Sequence, residues 1–174
     1  MPDPLKAAFE RLARYNRLAN ERLYEACAAL DETALKAQRP AFFGSIHGTL
    51  NHIMVGDRIW LARFEGQEVP SSGLDAILYD DYESLRTARA EEDARIERFA
   101  AGLGADWLAG STRYVNHAGH SFADPNAMLL QHLFNHQTHH RGQVHDMLCQ
   151  TEVAPPSLDL HRVLKPQPDG PAQD

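Results

Sequence analysis

Apolar residues recur at helical spacing in four long stretches, which are separated by segments rich in glycine, proline and polar residues. We expect the four helices over roughly residues 4–30, 45–65, 80–102 and 126–148. Four amphipathic helices without a run of strands predict an all-α fold, a four-helix bundle. The apolar stripes consist of Leu5, Phe9, Leu12, Ala19, Leu23, Ala26 and Leu30; Ile46, Leu50, Ile53, Leu61 and Phe64; Tyr82, Leu85, Ile96 and Phe99; and Leu129, Leu133, Val144 and Met147.

The segments between these helices carry their own signals. Gly66 is expected to end the second helix, and residues 70–73 (PSSG) predict a turn. Residues 112–122 contain β-favouring residues around Gly119, which predicts a short β-hairpin between helices three and four. Asp124 and Pro125 predict an N-cap acceptor and a first-turn proline for the last helix.

Length and composition predict a single domain. The chain has 174 residues and a hydrophobic content of 43%, enough for one sizeable core. No internal repeat or linker divides it, so we expect one helical domain over residues 1–164 and a mobile tail over residues 165–174.

Charge, hydropathy and cysteine usage exclude several classes of function. Seventeen Lys and Arg against 24 Asp and Glu leave a net charge of −7, which argues against non-specific nucleic-acid binding. No run of ~18 apolar residues and no signal-peptide region is present, so we expect no membrane partner and a cytoplasmic location. Cys27 and Cys149 form no CxxC pair and are expected to be reduced thiols in core positions.

The candidate chemistry lies in histidines. His136 and His140 are four residues apart, so on a helix both imidazoles face the same way. His52, on the second predicted helix, is the candidate third ligand. Three neutral imidazoles and an open fourth position would suit a zinc-like divalent ion.

A helical wheel places these three histidines at different positions relative to the apolar stripes of their helices. His140 falls inside the apolar stripe of the last helix and needs a hydrogen bond or a metal there, while His136 lies on the edge of the stripe. His52 lies well to one side of its own stripe, beside Thr49 and Gly56. That position indicates either solvent or a crevice between helices two and four.

Other polar residues allow further interpretations. His132 could pair with His136 instead, although the wheel predicts a more exposed ring, and His139 is expected at the surface or behind a ligand. Asp57 lies in the middle of a buried stripe; it could orient a histidine or act as a base, but we interpret it as the partner of an arginine. Surface positions are expected for His47, His117, His120, His145 and His161.

Two known metal motifs are excluded. The pair His136 and His140 has the outer spacing of the zinc-peptidase motif HExxH, but Gln137 stands where that motif needs its glutamate base. The Glu-x-x-His pairs of di-iron bundles are missing as well.

Five segments resemble the DinB family, a family of four-helix metalloproteins that is unrelated to the DNA polymerase of the same name. These segments are YNRLAN (15–20), GTLNHI (48–53), DRIWL (57–61), HLFNHQTHHRGQ (132–143) and PPSLDL (155–160). The resemblance implies an up-down-down-up bundle, a frequent homodimer, and zinc or nickel bound by His52, His136 and His140. It also implies, for some relatives, hydrolysis or S-transfer with a low-molecular-weight thiol such as bacillithiol, mycothiol or glutathione.

Three functions remain open from the sequence. The first is a metal-dependent hydrolase or thiol S-transferase acting on a small molecule. The second is a non-catalytic, metal-binding stress-response module, in which the ion joins helix two to helix four and Asp57 or His132 supplies a fourth ligand. The third is a helical interaction protein without a metal.

Overall fold

Residues 3–166, which the computed structural model of the protein describes, form seven helices and a two-stranded antiparallel sheet. Most of the predicted tail, residues 167–174, lies outside the described part of the chain. In chain order the elements are α1 (Pro4–Cys27), α2 (Glu32–Lys36), α3 (Ile46–Glu65), α4 (Tyr82–Ala101), α5 (Ala105–Ala109), β1 (Ser111–Val115), β2 (Ser121–Pro125), α6 (Asn126–Leu148) and α7 (Leu160–Leu164).

The long helices α1, α3, α4 and α6 form the predicted bundle, in which α1 packs on α4 and α6, and α3 packs on the same two helices. Tyr24, near the end of α1, stacks on Tyr82 at the start of α4, so these two helices are antiparallel. Phe9, near the start of α1, stacks on Phe134 in the first half of α6, so α1 and α6 are parallel.

The direction of α3 completes the topology. Asp57 pairs with Arg89, and Glu65, at the end of α3, pairs with Arg95 further along α4. Because both members of the second pair come later in their helices, α3 and α4 run parallel to each other. The bundle is therefore up-down-down-up, and the predicted fold is confirmed.

Capping residues define the ends of the helices that carry the site. Ser45 accepts a hydrogen bond from the backbone N–H of Gly48 and starts α3, and Asp81 does the same for α4 through Ser84. Gly66 ends α3 as predicted, in the left-handed conformation with φ of 65° that glycine adopts without strain.

The predicted cap of the last helix is wrong. Asp124 belongs to β2 and accepts a hydrogen bond from the hydroxyl of Tyr114 at 2.9 Å, and Pro125 precedes the helix rather than opening it. The backbone N–H of Asn126 instead donates to the carbonyl of Gly110 at 3.0 Å. The hairpin itself is confirmed, and pairing of β2 with β1 leads the chain directly into α6.

Three short helices and one helix end differ from the prediction. Helices α2, α5 and α7 have five residues each, too few to display a helical repeat. Helix α1 ends at Cys27 rather than near Leu30, because the next backbone bonds, from Ala29 to Ala26 and from Leu30 to Cys27, have the tighter three-residue spacing. Leu30 still packs against the core, so apolar spacing alone overextends the helix.

Two apolar clusters lie along the bundle axis, with a layer of buried polar side chains between them. One contains Leu23, Leu50, Leu85, Val144 and their neighbours, and the other Phe9, Leu61, Ile96, Leu133 and theirs. Cys27 belongs to the first cluster as predicted, but Cys149 is exposed, because it caps the end of α6 and lies outside the packed stripe. Within residues 3–166, no helix is both long and apolar enough to cross a membrane.

Candidate metal centre

The three predicted histidines come together where α3 faces α6. Nε2 of His52 lies 3.1 Å from Nε2 of His136 and 3.1 Å from Nε2 of His140. All three nitrogens lie within 4.8 Å of one another. Ligand atoms bound at ~2.0–2.1 Å to a tetrahedral zinc ion are separated by roughly 3.3 Å, so the spacing fits a shared ion.

Hydrogen bonds at the opposite ring nitrogens determine which nitrogens are available. His52 donates from Nδ1 to the carbonyl of Leu74 at 2.7 Å, and His140 donates from Nδ1 to Oε1 of Gln143 at 2.7 Å. Since an oxygen acceptor requires the proton on Nδ1, the Nε2 atoms of both rings keep their lone pairs. Nδ1 of His136 is buried and has no hydrogen-bond partner among the described residues.

Burial keeps these rings neutral at physiological pH. Desolvation, together with the smaller effects of the neighbouring His140 and His52, lowers the pKa of His136 to about 3. Burial also lowers the pKa of His140 to about 4, against the opposing effect of its bond to Gln143. The pKa of His52 is lowered by burial too. Neutral rings present the lone pairs that metal binding requires.

These pKa values predict an acid-sensitive fold in metal-free protein. Because His136 and His140 bind protons less readily in the folded than in the unfolded state, the free energy of unfolding should fall as the pH drops below about 6.5. The loss should continue towards the folded pKa values of about 4 and 3. Urea unfolding of chelator-treated protein across this range measures it. In the matched double variant His136→Gln/His140→Gln the slope should be smaller, and equal slopes would contradict the assignment.

Phe43 and Gly56 shape the walls of the centre. The ring of Phe43 stacks on His52 with a centroid distance of 3.7 Å and meets the edge of His140 at 5.6 Å. On the other side, a Cβ atom at Gly56 would lie 2.6 Å from Cε1 of His136. Only a residue without a side chain leaves room for this ring in its present position.

The close approach at Gly56 gives a second prediction. In Gly56→Ala the new methyl group must displace the His136 ring, and we expect metal affinity to fall about 10–100-fold, as when supporting groups of metal ligands are lost. Competition titration with a chromophoric chelator measures the affinity. In the control Gly142→Ala, on α6, the added Cβ meets no atom within 4 Å, so affinity should be unchanged. Equal affinities of the Gly56→Ala variant and the wild type would show that the ring position is not required.

The connection between α3 and α4 supplies the carbonyl that holds His52. Asn51 donates to the carbonyl of Tyr79 at 3.2 Å and accepts from its backbone N–H at 3.0 Å. His47 donates to the same carbonyl at 2.9 Å. These contacts hold the connection against α3, where Leu74 reaches His52. The prediction that His47 is a surface residue is therefore wrong, because this connection covers it.

A layer of buried polar residues joins the four long helices beside the histidines. Asp57 accepts a hydrogen bond from Nη1 of Arg89 at 2.5 Å and another from the amide of Gln137, which confirms its interpretation as the partner of an arginine. The layer consists of Asn16, Asn20, Asp57, Arg89, Asp93, Gln137 and Arg141, all buried. Two carboxylates and two guanidinium groups face one another in this layer, and burial raises the pKa of Asp57 to about 7 against the opposing effect of Arg89.

This polar layer positions the two helices that carry the histidines. Gln137, between His136 and His140 in sequence, donates to Asp57 of α3 and accepts from Arg141 at 3.2 Å. The bond from α6 to Asp57 therefore sets the register of α6 against α3 at the height of the centre. Arg89 and Asp93, which lie on α4, are almost fully buried in this layer.

The remaining histidines lie outside the centre. His132 is exposed, with its ring 5.2 Å from that of Trp60, and it is not a member of the three-histidine group. His139 is exposed as predicted. His117, His120 and His161 are exposed as well, and His145 is half-buried.

His52 is more buried than the helical wheel indicated, at 5% exposure, because Phe43 and Leu74 cover the side of α3 that the apolar stripe leaves open. One sequence signal was available: residues 46–56 of α3 contain no charged side chain. A helical segment without charges on any face is typical of burial on all sides.

Comparisons with known proteins agree with this fold. Protein DinB of Bacillus subtilis (strain 168) is 24% identical over 153 residues, which are 86% of this chain and 89% of that protein. The crystal structure of a DinB-like protein from Bacillus cereus ATCC 10987 has a TM-score of 0.60 at 18% identity, over 80% of this chain and 89% of that one. The family model of the DinB family matches residues 1–173. Since that match spans nearly the entire sequence, the chain belongs to the DinB family.

Proposed function

We propose that the protein is a metal-dependent enzyme in which His52, His136 and His140 hold a zinc or nickel ion through their Nε2 atoms. The observation that carries the proposal is the convergence of three imidazole nitrogens, with Nε2 of His52 3.1 Å from each of the other two. Three nitrogen ligands with one exchangeable position are typical of catalytic rather than structural zinc sites.

Both residues considered as a fourth protein ligand lie outside the three-histidine group, which supports a coordination position on the ion that is open to an exchangeable ligand. Asp57 is bound by Arg89 and Gln137 in the polar layer, and His132 is not a member of the group. Within residues 3–166, the metal-binding group therefore contains three side chains. A small ligand such as water or a thiol would complete a tetrahedral coordination.

The reaction that this arrangement supports is hydrolysis or S-transfer on a small molecule. A bound divalent ion lowers the pKa of a coordinated water towards ~7 or holds a thiol as thiolate, which provides a nucleophile at neutral pH. The chain's own contribution is to hold three neutral rings in place and to pack Phe43 against those of His52 and His140. A low-molecular-weight thiol as cosubstrate and a homodimeric assembly are further parts of the proposal.

Thiol-dependent activity tests the proposal directly. Protein prepared without a histidine tag would be loaded with Zn²⁺ or Ni²⁺ and incubated with bacillithiol, mycothiol or glutathione and an electrophilic bimane, and separately with activated esters. We expect conversion by the wild type that is lost in His140→Ala and retained in the control His132→Ala. Equal conversion by wild type and His140→Ala would contradict a metal-dependent reaction.

A structural role for the ion is the second candidate, because the centre joins α3 to α6. In that case metal removal should lower the melting temperature with no activity to lose. Water exchange measured by relaxation on Co²⁺-substituted protein separates the two: an exchanging water supports the enzyme, and a closed coordination sphere supports the structural ion.

A further inference from the structure

Gln143 makes both of its amide hydrogen bonds to histidines. Its Oε1 accepts from Nδ1 of His140 at 2.7 Å, and its Nε2 donates to Nε2 of His139 at 3.3 Å. The residue lies one helical turn after His140 on α6 and is half-buried. Its side chain thus stands directly behind one of the three candidate ligands, on the side away from the shared centre.

The three candidate ligands are supported in three different ways. Nδ1 of His52 is held by a backbone carbonyl, that of Leu74, which no side-chain rotation can change. Nδ1 of His136 has no partner among the described residues. Among residues 3–166, Gln143 is therefore the side chain whose hydrogen bond supports the second nitrogen of a candidate ligand.

From these contacts we propose that Gln143 is a positioning residue that fixes the tautomer and the ring orientation of His140. In this proposal His139 holds the amide of Gln143 so that its oxygen faces Nδ1 of His140. An amide oxygen facing Nδ1 requires the proton on that nitrogen, which leaves the lone pair on Nε2 for the ion. If the amide turned over, its N–H groups would face Nδ1 and favour the opposite tautomer, which cannot bind an ion at Nε2. A turned amide would also need the opposite tautomer of His139, with the proton on Nε2.

The expected change in metal affinity rests on the proposed metal site, whereas the hydrogen bonds of Gln143 do not depend on it. Loss of the bond should lower metal affinity about 10–100-fold, the usual effect of losing the group behind a ligand histidine. Gln143→Leu removes the acceptor while keeping a side chain of similar size. Gln143→Glu keeps an acceptor oxygen and should restore binding. Gln131→Leu, the same change at an exposed glutamine of α6, is the matched control.

Zn²⁺ affinity by competition titration is the first measurement. We expect Gln143→Leu to bind about 10–100-fold more weakly than the wild type, with Gln143→Glu at least as tight as the wild type and Gln131→Leu unchanged. Wild-type affinity in Gln143→Leu would overturn the inference. Equal weakening in Gln143→Glu would also overturn it, because the residue would then act through packing alone.

The tautomer of His140 in metal-free protein is the second measurement, by long-range ¹H–¹⁵N correlation NMR. We expect the Nδ1–H form in wild type and Gln143→Glu, and a smaller fraction of it in Gln143→Leu. An unchanged Nδ1–H form in Gln143→Leu would overturn the inference. If the wild type binds no Zn²⁺, the proposed function fails, while the NMR result still decides the role of Gln143.

Discussion

Removing the imidazole of His140 is expected to reduce metal affinity by more than the ~10–100-fold that follows the loss of a supporting residue. The expected loss is roughly 100-fold or more in His140→Ala, because two nitrogens on different helices cannot replace a three-ligand site. We expect a similar loss of metal affinity in His136→Ala. Competition titration measures the affinity, and elemental analysis of protein purified without a tag measures the bound metal.

The same helix provides the control for this experiment. His132 is exposed, lies four residues before His136, and is not a member of the three-histidine group. His132→Ala should keep wild-type affinity. Equal metal content in the wild type, His136→Ala and His140→Ala would refute the site, and loss of metal in His132→Ala would favour the alternative pair His132 and His136.

Asp57→Asn should be the most destabilising of the changes considered. Burial raises the pKa of Asp57 to about 7, so unfolding is measured at about pH 8, where this carboxyl is ionised. The change then removes a fully buried negative charge 2.5 Å from Nη1 of Arg89 and leaves two buried guanidinium groups facing one remaining carboxylate, Asp93. Breaking a buried ion pair in this way costs about 3–5 kcal/mol. For a chain of this size the melting temperature should fall by on the order of 10 °C.

Two further variants show whether this loss comes from charge imbalance. The double variant Asp57→Asn/Arg89→Gln should be less destabilised than the sum of its two single changes, because the buried charges balance again. Asp146→Asn, at an exposed position of α6, should change the free energy of unfolding by less than about 0.5 kcal/mol. A loss below about 1 kcal/mol in Asp57→Asn would contradict the assigned role of the polar layer.

The sequence predicts the bundle well because its long helices follow the helical apolar repeat. Helix α6 covers the predicted residues even though its predicted cap at Asp124 is wrong, since the repeat of Leu129, Leu133, Val144 and Met147 depends on packing rather than on the cap. The hairpin follows from its turn residues, with Gly119 at a φ of 83°.

The site is predicted less completely because it depends on contacts between distant segments. The spacing of His136 and His140 is local and visible in the sequence, whereas the burial of His52 depends on Phe43 and Leu74, which approach α3 from two different connections. The polar layer likewise depends on contacts between residues that are far apart in the sequence. The partner of Asp57 lies 32 residues away on α4, and no local pattern relates the two positions.

Anomalous diffraction at the zinc and nickel absorption edges, from crystals of protein grown with each metal, would locate the bound ion. We expect an anomalous peak at ~2.0–2.1 Å from Nε2 of His52, His136 and His140, with a water or thiol sulfur as a further ligand. A peak elsewhere, or a fourth protein ligand completing the coordination, would contradict the account of this centre as a metal site open to substrate.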